Sequence, residues 1–122
     1  MRLSRNMTVI RDGDTLTVVN AVRLSAAGEA ALEHLGTVKH VVRLGSFHGL
    51  DDRYYVVRYS AEFWCQANST HYKEPAPTQT LAEGQGLPIA DAEILEFANA
   101  KRPECVLLMK RAGGILVTCN SL

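Results

Sequence analysis

The sequence predicts an α/β domain, a mixed β-sheet with helices packed on one face. Three observations predict it. Runs rich in β-branched residues come in pairs around Asp-Gly and Gly-Gly turns, as antiparallel hairpins do. One passage, residues 15–43, reads strand–helix–strand, the unit that joins parallel strands. About eight strands and two helices follow one another without an internal repeat, and that mixture places helices against a sheet. The 122 residues suit one domain spanning 1–122, long enough to bury a core without staples.

The elements follow in order. MTVIR (7–11) and TLTVVN (15–20) flank DGD and predict a hairpin. SAAGEAALEHLG (25–36) predicts a helix, with Ser25 as N-cap, Glu29 in the first turn and Gly36 as the stop. Gly28, Ala31, Leu32 and Leu35 share its apolar face. VKHVVR (38–43) is a strand that runs into the loop GSFHG. LDDRYYVVRYS (50–60) mixes tyrosines and valines with two leading acids; Asp51 or Asp52 as cap favours a short helix. AEFWCQ (61–66) predicts a strand with Phe63 and Cys65 on one face and Trp64 on the other. Residues 67–80 hold two prolines and several turn formers, and predict a loop within the domain. AEILEFAN (92–99) predicts a strand. CVLLM (105–109), RAGG and ILVTCN (115–120) predict a closing hairpin. The chain stops directly after that apolar strand, so one sheet face is expected to lack a cover within it.

Composition excludes several classes of function. Hydrophobic residues make up 47% and charged residues 21%, with thirteen basic residues balancing thirteen acidic ones. No net field draws the chain to nucleic acid or an anionic membrane. The N-terminus lacks the apolar stretch of a signal peptide, and no segment approaches the roughly 20 apolar residues of a membrane span. Cys65, Cys105 and Cys119 are widely spaced in apolar runs. They read as reduced, buried thiols, which fits a cytoplasmic protein; no CxxC zinc pattern occurs.

The chemistry-bearing stretch is LGSFHGLDD (44–52). Polar groups just past a strand's carboxyl end commonly form the ligand crevice of an open α/β sheet. His48 with Asp51 or Asp52 has the ligand types for a divalent metal, or for a His–Asp acid/base pair. Equally, His48 caps a turn and the acids cap the helix. Cys119 beside Asn120 sits at the end of a strand expected to neighbour the His48 strand, which admits a Cys–His pair, although a thiol in VTCNS more often packs in a core. His40, mid-strand, reads as a satisfied histidine, His34 as a cation near a helix C-terminus, and His71 as solvated. Trp64, Phe63, Tyr54 and Tyr55 read as core or subunit contacts, or as the lining of a small-ligand pocket.

Strand–LGSFHGLDD–helix–strand, followed later by GGILVTCNSL, resembles the N-terminal half of the metallo-β-lactamase superfamily. More narrowly, it is similar to a branch whose members carry a His-Gly-x-Asp-Asp-type turn and a later LLTCDS strand. The resemblance covers nearly the whole chain. It implies half of an αββα sandwich, with the metal motif His-x-His-x-Asp-His after a strand and a bridging Asp at a later strand end. Aligning His48 with the motif's second histidine puts Ser46 on the first, Leu50 on the Asp and Asp51 on the last histidine. The bridging Asp falls on Asn120, a neutral amide. The ligand set implied by the resemblance is therefore reduced to His48, Asp51 or Asp52, and Asn120, with zinc or another divalent metal as the cofactor. The family's remaining histidine and closing strands fall beyond Leu122.

Three expectations follow. The first is a half-fold without catalysis of its own, dimerising through an exposed apolar sheet face. The second is a metal-dependent hydrolase using His48 with Asp52 or Asp51. The third is a module binding a small-molecule ligand near Trp64 and Tyr55. All three rest on the turn at 48 and the strand tip at 120 leaving one β-layer side by side.

Overall fold

The computed structural model describes residues 6–45, 51–67, 77–97 and 104–118. Two β-sheets pack face to face, and two helices cover the outer side of the larger one. Its five strands are β1 (Thr8–Asp12), β2 (Thr15–Val19), β3 (Thr37–Arg43), β4 (Glu62–Cys65) and β5 (Gln79–Thr80), lying in that order across the sheet. β1 and β2 form the Asp-Gly hairpin, with Gly13 at φ 62 as such a turn demands. From β2 onward every pairing is parallel. Helices α1 (Ala26–Leu35) and α2 (Asp52–Tyr59) make the β2–β3 and β3–β4 crossovers. Both crossovers step the same way along the sheet, so two connections of the same hand leave both helices on one face. The predicted mixed sheet with helices on one face is present.

The Ser25 hydroxyl accepts a hydrogen bond from Gly28 N–H at 3.1 Å and so caps α1 as expected. Only Leu32 of the expected apolar face is buried, and Leu35 stays 45% exposed. Gly36 turns the chain into β3 so close to β1–β2 that a Cβ there would collide with the Asp14 carbonyl oxygen. That approach lets the same oxygen accept the Thr37 N–H at 2.7 Å.

β3 carries one residue more than its neighbour. Leu16 pairs with Val38 and Thr17 with His40, so Lys39 is a bulge. The extra residue resets the alternation. Val38 and Val41 therefore join Leu16, Val18, Phe63 and Cys65 against Leu32 and Tyr55 of the helices. Val42 turns the other way, with Ile10, Val19 and Leu44. Trp64 also faces that second layer, as the alternation in AEFWCQ predicts.

The second layer is the smaller sheet, β6 (Ala92–Glu96), β7 (Cys105–Met109) and β8 (Ile115–Val117), antiparallel throughout. Ile94, Leu107, Met109 and Val117 point inward and complete the inter-sheet core. The expected closing hairpin forms, turning through a 3₁₀ segment at Arg111–Gly113. Arg111 ties this turn to the first hairpin, with Nη2 2.9 Å from Asp12 Oδ1 and 2.6 Å from Asp91 Oδ1.

Two expectations are corrected here. The closing strands do not join the first sheet but stack on it, so the strand tips after β3 and β8 belong to two layers. The face expected to lack a cover is covered by this second sheet. Among the described residues the outer face of the smaller sheet exposes Leu95, Phe97 and Leu116, at 41%, 41% and 50%; Val57 of α2 and Leu35 of α1 are exposed singly elsewhere.

Candidate functional site

The carboxyl ends of β2 and β3 meet the start of α2, and a chain of polar contacts joins them. Asn20 follows β2 with φ 58, a left-handed conformation that asparagine tolerates. Its N–H donates to Val42 O at 2.8 Å. Its side-chain oxygen accepts from Leu44 N–H at 3.3 Å and from Arg43 Nη1 at 3.5 Å. Its amide nitrogen donates to the Thr118 carbonyl at 3.0 Å. Leu44 after β3 and Thr118 after β8 are thus both held by one side chain, while the tips singled out in the sequence, at 48 and 120, lie outside the described residues. Leu44 O in turn accepts the Cys105 N–H at 2.8 Å, which stitches the second sheet to the same place.

Arg43 ends β3 on the helix side of the sheet and is 1% exposed. Its guanidinium grips Asp52 with both arms, Nε to Oδ2 at 3.0 Å and Nη2 to Oδ1 at 2.7 Å. Asp52 is fully buried. Asp51 does not cap α2 with its side chain; Oδ2 instead accepts the Arg23 N–H at 2.8 Å. The cap expected from either acid is thus replaced by two tertiary contacts. Both acids anchor the start of α2.

His48, Asn120, Cys119 and His71 lie outside the described residues. Among the described residues no three His, Cys, Asp or Glu side chains come together to hold a metal. A divalent ion on Asp52 has to displace a buried guanidinium bonded to both carboxylate oxygens. As it stands, Asp52 does not fit the metal set implied by the resemblance.

Tyr55 is 1% exposed. Its hydroxyl donates to Val22 O at 2.6 Å, and burial pushes its phenol up to about 12. A shallow groove of about 590 Å³ lies instead along α2, lined by Arg23, Asp51, Arg53, Tyr54, Val57 and Arg58. Its wall is a relay between the helices. The Arg23 guanidinium stacks 4.2 Å over the Tyr54 ring. The Tyr54 hydroxyl donates to Glu29, and Glu29 Oε1 lies 2.7 Å from Arg58 Nε.

Mid-sheet, His40 Nδ1 lies 3.3 Å from Thr17 Oγ1 and Nε2 lies 3.4 Å from Glu62 Oε1. Burial lowers its pKa; Glu62 opposes that shift and Lys39 adds to it. It is the satisfied histidine that the sequence suggested. Sequence reasoning missed Asn20 and Arg43. The available signals were an asparagine directly after VV and an arginine at the tip of VKHVVR, nine residues before an aspartate.

No protein-family model matches the chain, and no curated protein matches it. Among the described residues no helix is long and apolar enough to cross a membrane.

Proposed function

We propose that this chain is a metallo-β-lactamase-like domain whose strand-end cluster is structural, not hydrolytic, and that it works as a cytoplasmic homodimer joined through its smaller sheet. One observation carries this reading: the bidentate pair of Arg43 and Asp52, both buried. A carboxylate needed for metal or acid/base chemistry must be open to the reacting centre; here its oxygens are committed to a guanidinium. The single β-layer on which the expectation rested is replaced by two, and it is now the layering of helices, sheet and sheet that supports the likeness to an αββα sandwich, with the exposed face of the smaller sheet where a fourth layer would lie. Buried thiols at Cys65 and Cys105 support a reducing compartment.

A second reading, a metal-dependent hydrolase using His48, Asp51 or Asp52, and Asn120, draws support from the convergence of the Leu44 and Thr118 tips on Asn20. A third, a small-ligand module, moves from Trp64 and Tyr55 to the α2 groove. Metal analysis of untagged protein separates the first two. The structural reading expects no retained zinc or iron and no rise in Tm when either is added. Stoichiometric zinc or iron that stabilises the fold overturns it in favour of the hydrolase.

A further inference from the structure

At the mouth of the space between the two sheets sits a polar side chain with an unmet need. Gln66 follows β4 and is 6% exposed. Its amide nitrogen donates to Glu96 Oε1 at 3.0 Å. Its amide oxygen is buried and has no hydrogen-bond partner. Exchanging the two ends of the amide does not help, because oxygen would then face a carboxylate. A buried acceptor left without a partner loses the hydrogen bonds it made to water, so this atom calls for a donor or a cation.

Its surroundings decide between the two. Glu96 ends β6 on the same side as inward-pointing Ala92 and Ile94, so its carboxylate points toward the larger sheet. Glu83, in the loop after β5, accepts the Glu96 N–H on Oε1 at 2.7 Å. Two carboxylates are thus linked in sequence to Gln66, Glu96 directly and Glu83 through the Glu96 backbone. Neither pairs with a Lys or Arg among the described residues. The side chains that these contacts link are one amide and two carboxylates, with no cationic side chain in the chain of contacts.

We propose that Gln66, Glu83 and Glu96 bind a hard divalent cation of the calcium type. Such ions take carboxylate and amide-carbonyl oxygens in flexible geometry. The cation satisfies the orphan amide oxygen and offsets the two carboxylates, and it clamps β4, the loop after β5 and β6 together where the sheets part. The site shares no residue with the set His48, Asp51 and Asp52 and stands whether or not the proposed function does.

Terbium is the probe, because it substitutes for calcium and is sensitised by a nearby indole. Trp64, the only tryptophan in the chain, lies two residues from Gln66 and packs against the same inter-sheet core. The expected result is saturable terbium luminescence excited through Trp64, displaced by calcium and accompanied by a calcium-dependent rise in Tm. Glu96→Gln, at an exposed side chain, abolishes both, and so does Gln66→Leu. Asp51→Asn leaves them intact. Should Gln66→Leu fail to fold, Glu96→Gln decides alone. Absence of a saturable signal in the parent protein, or a signal that survives Glu96→Gln, overturns the proposal.

Discussion

Arg43 is a charged side chain at the tip of an apolar strand, and the Asp52 carboxylate meets its charge there. Removing one partner of a buried pair leaves the other charge stranded, which costs about 3–5 kcal/mol. Asp52→Asn keeps the shape and deletes the charge, so it is expected to lower the free energy of unfolding by roughly that amount in urea titrations. A loss under about 1 kcal/mol, the range of exposed pairs, would mean that water screens this pair. His40 gives a second expectation with a definite sign. Burial depresses its pKa in the fold, whereas in the unfolded chain it stays near about 6.5. As pH falls through that value the unfolded state takes up the proton first, so stability drops. Between pH 7.5 and 5.5 the parent protein is expected to lose stability and His40→Gln to lose less. Parallel slopes for the two proteins would remove His40 as the cause.

At the scale of elements, the Lys39 bulge shows why some of this fold was legible in the sequence and some was not. Strand composition located β3, and the Asp-Gly and Gly-Gly turns located both hairpins. Period-2 alternation then places Val38 and Val41 on opposite faces, yet they share one. The reason is the extra residue at Lys39, which pairs with neither β2 nor β4. An exposed lysine leaves no mark of a bulge on the sequence. The structure makes this testable by deletion. Without Lys39 the strand reads Val38, His40, Val41, Val42, Arg43 in strict alternation, and every observed pairing survives. That variant is expected to keep the parent far-UV spectrum with only a small fall in Tm. Deleting Val41 instead forces Arg43 toward the inter-sheet core or His40 toward the helices, and a protein without a cooperative transition is expected. If deletion of Lys39 were as damaging as deletion of Val41, the bulge would not be where the register puts it.

At the scale of the whole molecule, the split into two sheets was the least legible feature. Alternation shows which residues of a strand share a face, but not which sheet the strand joins, and CVLLM and ILV are apolar on both sides. For the same reason the exposed face was assigned to the wrong layer. In the structure the larger sheet is covered on both faces. The smaller one turns Leu95, Phe97 and Leu116 outward, with Leu108 half-buried between them. β8 is an edge strand of only three residues, so the contact expected of it is face to face and not the addition of a strand. A two-fold interface brings the same patch of each copy together, so one charge on it is introduced twice, each opposite apolar surface. Leu116→Glu, on the most exposed of the three side chains, is therefore expected to weaken association at least about tenfold, a cost of about 1.4 kcal/mol. The monomer fold should be unchanged, because the side chain contributes nothing to either core. Sedimentation across micromolar concentrations reads this directly. A parent protein that already sediments as a monomer, or a variant as dimeric as the parent, would show that this face is not where two copies meet.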